Sequence, residues 1–117
     1  MLAAKNHLRK EKDITRVYRR GSYGAGGGLL SVKAAPNGQP ESRAVIVVSK
    51  KINKRAVVRN RIRRRLAAIL ASQWGTVASG YDIVVSVHVD IAELESSQLE
   101  LQLGTALRRA KILPALN

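Results

Sequence analysis

Apolar residues in the N-terminal part of this chain follow a helical period, which begins only after a basic arm. Residues 14–20 carry apolar side chains at their first, fourth and fifth positions, the i, i+3, i+4 spacing of an amphipathic helix. Asp13 is a suitable N-cap for this helix, and Gly21 is a suitable C-terminal stop. The preceding residues 1–10 show no clear period, so we expect them to form an irregular basic arm.

Three runs rich in β-branched residues predict strands, at residues 29–35, 43–49 and 81–89. The run 43–49 is almost continuously apolar, which is typical of a strand covered on both faces. The glycine-rich stretch 21–28 predicts a flexible connection. Pro36-Asn37-Gly38 lies between the first two runs and predicts a hairpin turn that joins them.

Two longer helices follow from apolar residues spaced three and four positions apart. The first extends from Lys54 to Gln73 and is ended by Gly75. Its apolar stripe consists of Val58, Ile62, Leu66, Ile69 and Leu70. The second begins at the capping-box sequence Ser97-Gln-Leu-Glu100 and is ended by Pro114.

These elements predict an α+β fold in which helices pack on a small mixed β-sheet, in the order α-β-β-(β)-α-β-α. The bracket allows for one strand to be subdivided. A chain of 117 residues is long enough for one modest core and leaves no room for a second domain. We therefore predict a single domain over residues 1–117, with the basic arm at 1–10 and a C-terminal tail at 112–117.

The positive charge of the chain is large and unevenly distributed. Twenty-one Lys and Arg residues against eight Asp and Glu residues give a net charge of +13. Residues 1–65 alone carry +15, whereas residues 66–117 carry −2. Concentrated positive charge is typical of a surface that binds a polyanion, most often a phosphate backbone. The absence of Cys and of any long apolar run leads us to expect a cytoplasmic protein without a membrane partner.

The segment 59–65 reads Arg-Asn-Arg-Ile-Arg-Arg-Arg and places five arginines on two turns of the first long helix. Like charges at i, i+4 repel each other, and no Glu lies between Lys50 and Gln73 to relieve the repulsion. We therefore expect an external polyanion to relieve it, since Arg forks and Asn amides both match phosphate groups. A solvated basic face is the less favoured interpretation, and helical spacing leaves RNA and DNA both open.

No residue pattern indicates catalysis by the protein itself. Gly24–Gly28 lacks the Lys-Ser/Thr of a phosphate-binding P-loop and leads into a strand. His7 and His88 are too few for a metal or nuclease site, and Asp82 and Asp90 fit better as a strand start and a helix cap. Catalytic and metal-ligating residues are therefore not predicted, and a self-contained two-metal nuclease has little support.

Several of these segments resemble the bacterial ribonuclease P protein family. The strongest match is Val48-Ser-Lys-Lys51 followed by Ala56-Val-Val-Arg-Asn-Arg-Ile-Arg-Arg64, which is similar to the family's Ser-Lys-Lys strand end and Arg-Asn-Arg helix. Asn6-His-Leu-Arg-Lys10 and residues 13–21 resemble its opening arm and first helix. The resemblance implies a ribosomal protein S5 domain 2-like fold with a left-handed β-α-β crossover, a hand that general rules do not predict.

The resemblance also implies a function, that of the non-catalytic protein subunit of the ribonuclease P endoribonuclease. The protein would bind the catalytic RNA and the 5′ leader of precursor tRNA, while the RNA and its bound Mg²⁺ remove the leader. No organic cofactor is implied, and we expect the protein itself to be monomeric. The residues implied to contact the catalytic RNA are Ser49, Lys50, Lys51, Arg55, Arg59, Asn60, Arg61, Arg63, Arg64 and Arg65. Those implied to line the leader-binding cleft are Arg9, Lys10, Ile14, Val17, Tyr18 and Val32.

The chain departs from the family pattern at a few positions. Ile14 and Val32 stand where the family usually has aromatic residues, and Ala67 stands where it has a basic one. Tyr18 retains an aromatic ring in the first helix. Tyr23 is either an exposed loop residue or a ring that stacks on RNA.

Two other functions stay open at this point. A general or ribosomal structural RNA-binding protein would bind RNA without a role in tRNA processing. A DNA-binding regulator would read duplex DNA with the arginine helix, although the chain has neither a heptad seam nor helix-turn-helix spacing.

Overall fold

The computed structural model describes residues 2–114 and confirms the predicted α+β fold. Within these residues, three α-helices and four strands follow in the order α-β-β-β-α-β-α. They are α1 (Glu11–Arg20), β1 (Ser22–Gly26), β2 (Leu30–Pro36), β3 (Arg43–Val47), α2 (Ala56–Gln73), β4 (Tyr81–Val87) and α3 (Ser96–Arg109), with 3₁₀ turns at Ala4–Asn6 and Trp74–Thr76. The additional strand comes from the glycine-rich stretch and not from the subdivision of a predicted strand. None of the helices described is long and apolar enough to span a bilayer.

The four strands form one mixed sheet in the order β1-β2-β4-β3. β2 pairs antiparallel with both β1 and β4, and β3 lies parallel to β4 at the sheet edge with α2 between them in the chain. The predicted hairpin at Pro36-Asn37-Gly38 is therefore wrong, because β4 lies between β2 and β3. A turn sequence reports only a local change of direction. β4, most of whose residues are buried, takes a central place in the sheet. The left hand of the crossover stays a prediction.

The glycine-rich stretch is a strand and not the flexible connection that its composition predicts. A Cβ on Gly24 would lie 2.0 Å from the Ala106 carbonyl oxygen, and one on Gly26 would lie 2.6 Å from the Gln102 carbonyl oxygen. These two glycines therefore let α3 pack directly on the backbone of β1. The turn to β2 uses Gly27 and Gly28, both with positive φ, as a tight hairpin requires.

The helices cover the two faces of the sheet unequally. α2 and α3 pack on one face and enclose the large core with β2 and β4; its fully buried side chains include Leu30, Val32, Ile62, Leu66, Leu70, Ile83, Leu99, Leu103 and Leu107. α1 packs on the other face over a smaller core, which consists of Leu8, Val17, Ala35 and Val84. Because α1 has only ten residues, it leaves part of this second face uncovered.

The ends of α1 and α3 differ from the predicted ones. α1 begins at Glu11, so Asp13 is its third residue and not its N-cap. The Asp13 carboxylate lies 3.7 Å from Arg16 and 3.6 Å from Arg43. α3 begins at Ser96, one residue before the predicted capping box, and ends at Arg109.

The chain turns sharply after α3, where Lys111 has a φ of 65°. Pro114 therefore does not end the helix, because this left-handed residue has already turned the chain. Ile112 is buried in the large core, and its carbonyl oxygen accepts a hydrogen bond from the Ala78 amide at 2.9 Å. The predicted tail at 112–117 is thus wrong at its start, and its last three residues lie outside the described ones.

The N-terminal arm is ordered along the edge of the sheet, unlike the irregular arm predicted from its sequence. The buried Asn6 side chain donates to the Ser42 carbonyl oxygen at 2.9 Å, and the Leu8 amide donates to the Ala44 carbonyl oxygen at 2.9 Å. The arm therefore covers part of the exposed edge of β3.

Candidate nucleic-acid interface

The arginines of α2 lie on a helix whose buried side is fixed by the large core. Ile62, Leu66, Ile69 and Leu70 face inward. The polar positions around them are left at the surface, and the first turn of the helix contains no acidic residue. The sequence pattern therefore predicted the orientation of this helix correctly, but the arginines divide into three groups by their contacts.

Two arginines are bound to the loop before α3. Arg65 donates to the carbonyl oxygens of Ile91 at 3.1 Å and Ala92 at 2.7 Å, and also to that of Leu94. Arg61 forms an ion pair with Glu93 at 3.0 Å. We expected the repulsion between the arginines to be relieved by an external polyanion alone. This expectation is wrong for Arg61, because Glu93 pairs with it from a different segment of the chain.

Two further arginines are held by α2 and the turn before it. Arg59 donates to the carbonyl oxygens of Asn53 and Lys54, at 3.0 Å and 2.8 Å. Arg63 donates to the side-chain oxygen of Asn60. These bonds fix the direction of two guanidinium groups and leave other N–H groups of each free to donate.

The third group is exposed and has no side-chain hydrogen bond or ion pair within the part of the chain that is described. It consists of Lys50 and Lys51 in the turn after β3, with Arg55 and Arg64 on or next to α2. We use the name basic surface for Ser49, Lys50, Lys51, Arg55, Arg59, Asn60, Arg61, Arg63 and Arg64. Arg65 is left out because its guanidinium is committed to three carbonyl oxygens.

The turn before α2 is tied to the loop before α3. The Asn53 side chain donates to Asp90 at 2.9 Å, and Asp90 accepts the Ala92 amide at 3.0 Å. The bond from the Ala92 amide, with that from Asn53, lowers the pKa of the Asp90 carboxyl from its ordinary value. This connection ties the turn before α2 to the same loop that contacts Arg61 and Arg65.

A second surface lies on the part of the sheet that α1 leaves uncovered. Strand alternation places Ser31, Lys33, Val47, Ser86 and His88 on the same face as α1, and we name these five residues the open sheet face. The imidazole of His88 lies 2.8 Å from the Ser31 hydroxyl. Ser31 is itself buried, so the accessible part of this face is formed by the half-buried Lys33, Val47 and Ser86 with the exposed His88.

Tyr18 borders the open sheet face and is 42% exposed. Its hydroxyl lies 3.5 Å from the Ser86 hydroxyl, and its carbonyl oxygen accepts a hydrogen bond from Lys33 Nζ at 2.7 Å. The ring therefore leans over the sheet beside a cation, the combination with which proteins bind single-stranded nucleic acids.

The predicted cleft residues are only partly brought together here. Val17 and Val32 are both 0% exposed, and Val32 lies in the large core on the opposite face of the sheet, so neither can line a cleft. Ile14 is half-buried against the small core. Arg9 lines a groove beside Arg63 near α2 instead of the open sheet face, while Lys10 is exposed at the start of α1.

Sequence reasoning missed most of the open sheet face. Lys33, a charged residue within an apolar strand, was the available signal for which side of β2 faces outward. Inferring the outward face of β2 from Lys33 requires the strand register, since a shift by one residue exchanges the two faces. The register pairs Lys33 with Val84.

A buried carboxylate fixes α1 relative to the sheet. Asp82 is 0% exposed and accepts two hydrogen bonds from Arg43, at 2.8 Å and 2.7 Å, and one from Arg16 at 2.5 Å. Asn37 donates to the same carboxylate at 2.9 Å. The hydrogen bond to Asp82 raises the pKa of Arg43 above its ordinary value. Asp82 therefore holds α1, and with it Tyr18, over the sheet.

No three His, Asp or Glu side chains within residues 2–114 converge in a way that would hold a metal ion. The two surfaces instead offer guanidinium groups, ammonium groups, hydroxyl groups and an aromatic ring. These features define a nucleic-acid-binding protein of the α+β class.

Comparisons with known proteins agree with this class and narrow it. A family model described as Ribonuclease P matches residues 2–111. A ribonuclease P protein component from Cyanothece sp. is 34% identical over 128 residues, covering 97% of this chain and 98% of that protein. One from Beutenbergia cavernae is 34% identical over 119 residues, covering 98% and 99%. The chain belongs to the ribonuclease P protein family.

Solved structures of relatives show the same fold. The RNase P protein of Staphylococcus aureus has a TM-score of 0.81 at 25% identity, covering 93% of this chain and 98% of that one. The RNase P protein of Thermotoga maritima has a TM-score of 0.77 at 25% identity, covering 88% and 96%. The resemblance read from the Arg-Asn-Arg helix and its flanking segments is therefore confirmed.

Proposed function

We propose that this chain is the RNA-binding subunit of ribonuclease P, in which the basic surface binds the catalytic RNA and the open sheet face binds the 5′ leader of precursor tRNA. One observation supports this division most strongly. The uncovered end of the sheet lies where β3 and β4 end, and the chain leaves β3 there through Ser49, Lys50 and Lys51 into α2. The two surfaces therefore meet, and a strand lying on the sheet is brought next to RNA bound by α2.

We propose that the RNA subunit, with bound Mg²⁺, hydrolyses the phosphodiester bond that joins the leader to the tRNA. The two protein surfaces carry no carboxylate cluster of the kind that two-metal nucleases use. The protein's part is to neutralise phosphates, which it does by replacing the cations condensed on the RNA. We therefore propose that it lowers the Mg²⁺ concentration that cleavage requires.

Preference for precursor over mature tRNA follows from the same arrangement. Only the precursor carries a single-stranded leader, and stacking of one base on an aromatic ring contributes about 1–3 kcal/mol. Tyr18 offers such a ring beside Lys33. The open sheet face thus adds affinity for the substrate and none for the product.

Reconstitution with the catalytic RNA tests the proposal. At low Mg²⁺ we expect the added protein to raise the rate of precursor-tRNA cleavage. Lys51→Ala/Arg64→Ala should lose most of this gain. The matched control Lys12→Ala/Arg20→Ala removes the same charge from exposed positions on α1 and should keep it.

Two results would overturn the proposal. If the wild-type protein binds RNA but leaves cleavage unchanged, the chain is a general RNA-binding protein. If both double variants lose the gain equally, net charge and not the basic surface is responsible.

A further inference from the structure

Tyr23 is the most exposed tyrosine in the described part of the chain, at 57% of its surface. It lies in β1, directly opposite Lys33 of β2 in the antiparallel register. Opposite residues in a strand pair point to the same side of the sheet. Tyr23 therefore shares the side of the open sheet face, one strand further from α2 than Lys33.

The neighbouring glycines fix the direction of the Tyr23 side chain. Gly24 and Gly26 face α3, where a Cβ would collide with the helix backbone. Since successive residues of a strand alternate, Tyr23 points away from α3. The ring is thus presented by a strand held between β2 and α3, which lowers the entropy cost of binding compared with a ring on a mobile loop.

Three side chains form a row across the edge of the sheet. Tyr18 lies on one side of Lys33, whose Nζ is bonded to the Tyr18 carbonyl oxygen, and Tyr23 lies on the other side. Two exposed rings separated by a cation match a single strand, whose bases stack while its phosphates are neutralised.

A second cation lies at the outer edge of β1. Arg109 of α3 donates from Nη1 to the carbonyl oxygen of Ala25 at 3.1 Å. This single bond leaves most of its N–H groups free, because a guanidinium has five. Its charge is therefore available to a phosphate that passes the edge of the sheet near Tyr23.

We propose that Tyr23 is a second stacking position for the leader, distal to Tyr18, with Arg109 neutralising the phosphate beside it. This inference rests on the proposed function. Three strand spacings separate β3 from β1, a distance of about 14 Å, which about four stacked nucleotides span. The site is therefore reached only by leaders that extend across the whole sheet.

A leader-length series tests the inference. Precursor tRNAs whose leaders are lengthened one nucleotide at a time are bound to the complex of protein and catalytic RNA. For wild type we expect affinity to rise in steps and then level off. Tyr23→Ala should level off earlier and bind the longest leaders about fivefold or more weakly, the lower end of a base–aromatic stack.

Two controls separate stacking from a change in folding. Tyr23→Phe keeps the ring and should follow the wild-type series. Leu101→Ala removes a similarly exposed apolar side chain from α3 and should also follow it. A loss in Tyr23→Phe equal to that in Tyr23→Ala would overturn the stacking role.

The series also separates this inference from the proposed function. If wild type gains no affinity with leader length, the leader assignment of the sheet fails as a whole. If wild type gains affinity and Tyr23→Ala gains it identically, only the second stacking position fails. An equal loss at every leader length would assign Tyr23 to the catalytic RNA and overturn the inference.

Discussion

Arg64 and Arg65 are neighbours with the same side chain, yet they make different contacts in the structure. Arg64 is exposed and has no protein partner among the described residues, whereas Arg65 is bonded to three carbonyl oxygens of the loop before α3. The sequence predicted both as RNA ligands. Helical spacing shows the side of α2 on which each lies, but the loop that approaches Arg65 is distant in the chain.

This difference predicts that two alanine substitutions affect different properties, RNA binding in one case and folding stability in the other. Arg64→Ala should reduce the salt dependence of catalytic-RNA binding by a slope of about 1 and leave folding stability unchanged, since one phosphate contact is lost. Arg65→Ala should lower the free energy of unfolding by about 1–3 kcal/mol, because three part-buried carbonyl oxygens lose their donor. Salt titrations of binding and urea unfolding measure the two effects. Identical behaviour of the variants in both would contradict this division.

The same contrast holds for the predicted cleft. Tyr18 and Val32 were both placed in the cleft by the family resemblance. Tyr18 is 42% exposed, whereas Val32 lies in the large core. Which side of β2 is outward depends on its pairing with β4, and that pairing joins segments about fifty residues apart.

At the scale of elements, β1 is the strand that was not predicted from the sequence. Strand propensity mainly reflects how side chains pack on a pleated surface, so a run of glycines predicts a loop. In β1 the missing side chains are themselves the reason for the strand, because they let α3 approach its backbone. The bounds of β3, β4 and the periodic helix α2 were predicted closely, since their apolar residues mark them. The prediction that β3 is covered on both faces is wrong, because it is an edge strand and Ala44 is its one buried residue.

The packing of α3 on β1 predicts a position-specific loss of stability. Gly24→Ala should lower the free energy of unfolding by about 1–3 kcal/mol, because its Cβ would lie 2.0 Å from the Ala106 carbonyl oxygen. Gly75→Ala is the matched control, since nothing lies within 4 Å of an added Cβ there, and it should change stability by less than about 0.5 kcal/mol. Denaturant unfolding measures the free energy of unfolding of both variants. Equal values would show that α3 does not contact β1 this closely.

At the scale of the whole molecule, the strongly basic half of the sequence serves more than one surface. Residues 1–65 include α1, the first three strands and the arginine-rich part of α2, so their charge lies on both sides of the sheet. Two of the five acids of the second half form ion pairs with it: Asp82 with Arg16 and Arg43, and Glu93 with Arg61. Composition predicted a polyanion partner, whereas the distribution of this charge over two faces of the molecule depends on the fold.

The assignment of a different RNA to each surface can be measured directly, because the chain contains no Cys and single cysteines are therefore unique attachment points. Ser86→Cys places a photo-crosslinker on the open sheet face, Asn60→Cys places it on α2, and Leu101→Cys on the outside of α3 is the control. In the complex with catalytic RNA and precursor tRNA, we expect Ser86→Cys to crosslink to the leader, Asn60→Cys to the catalytic RNA, and Leu101→Cys to neither. Crosslinks from Ser86→Cys to the catalytic RNA alone, or from Asn60→Cys to the leader alone, would contradict the division of the two surfaces.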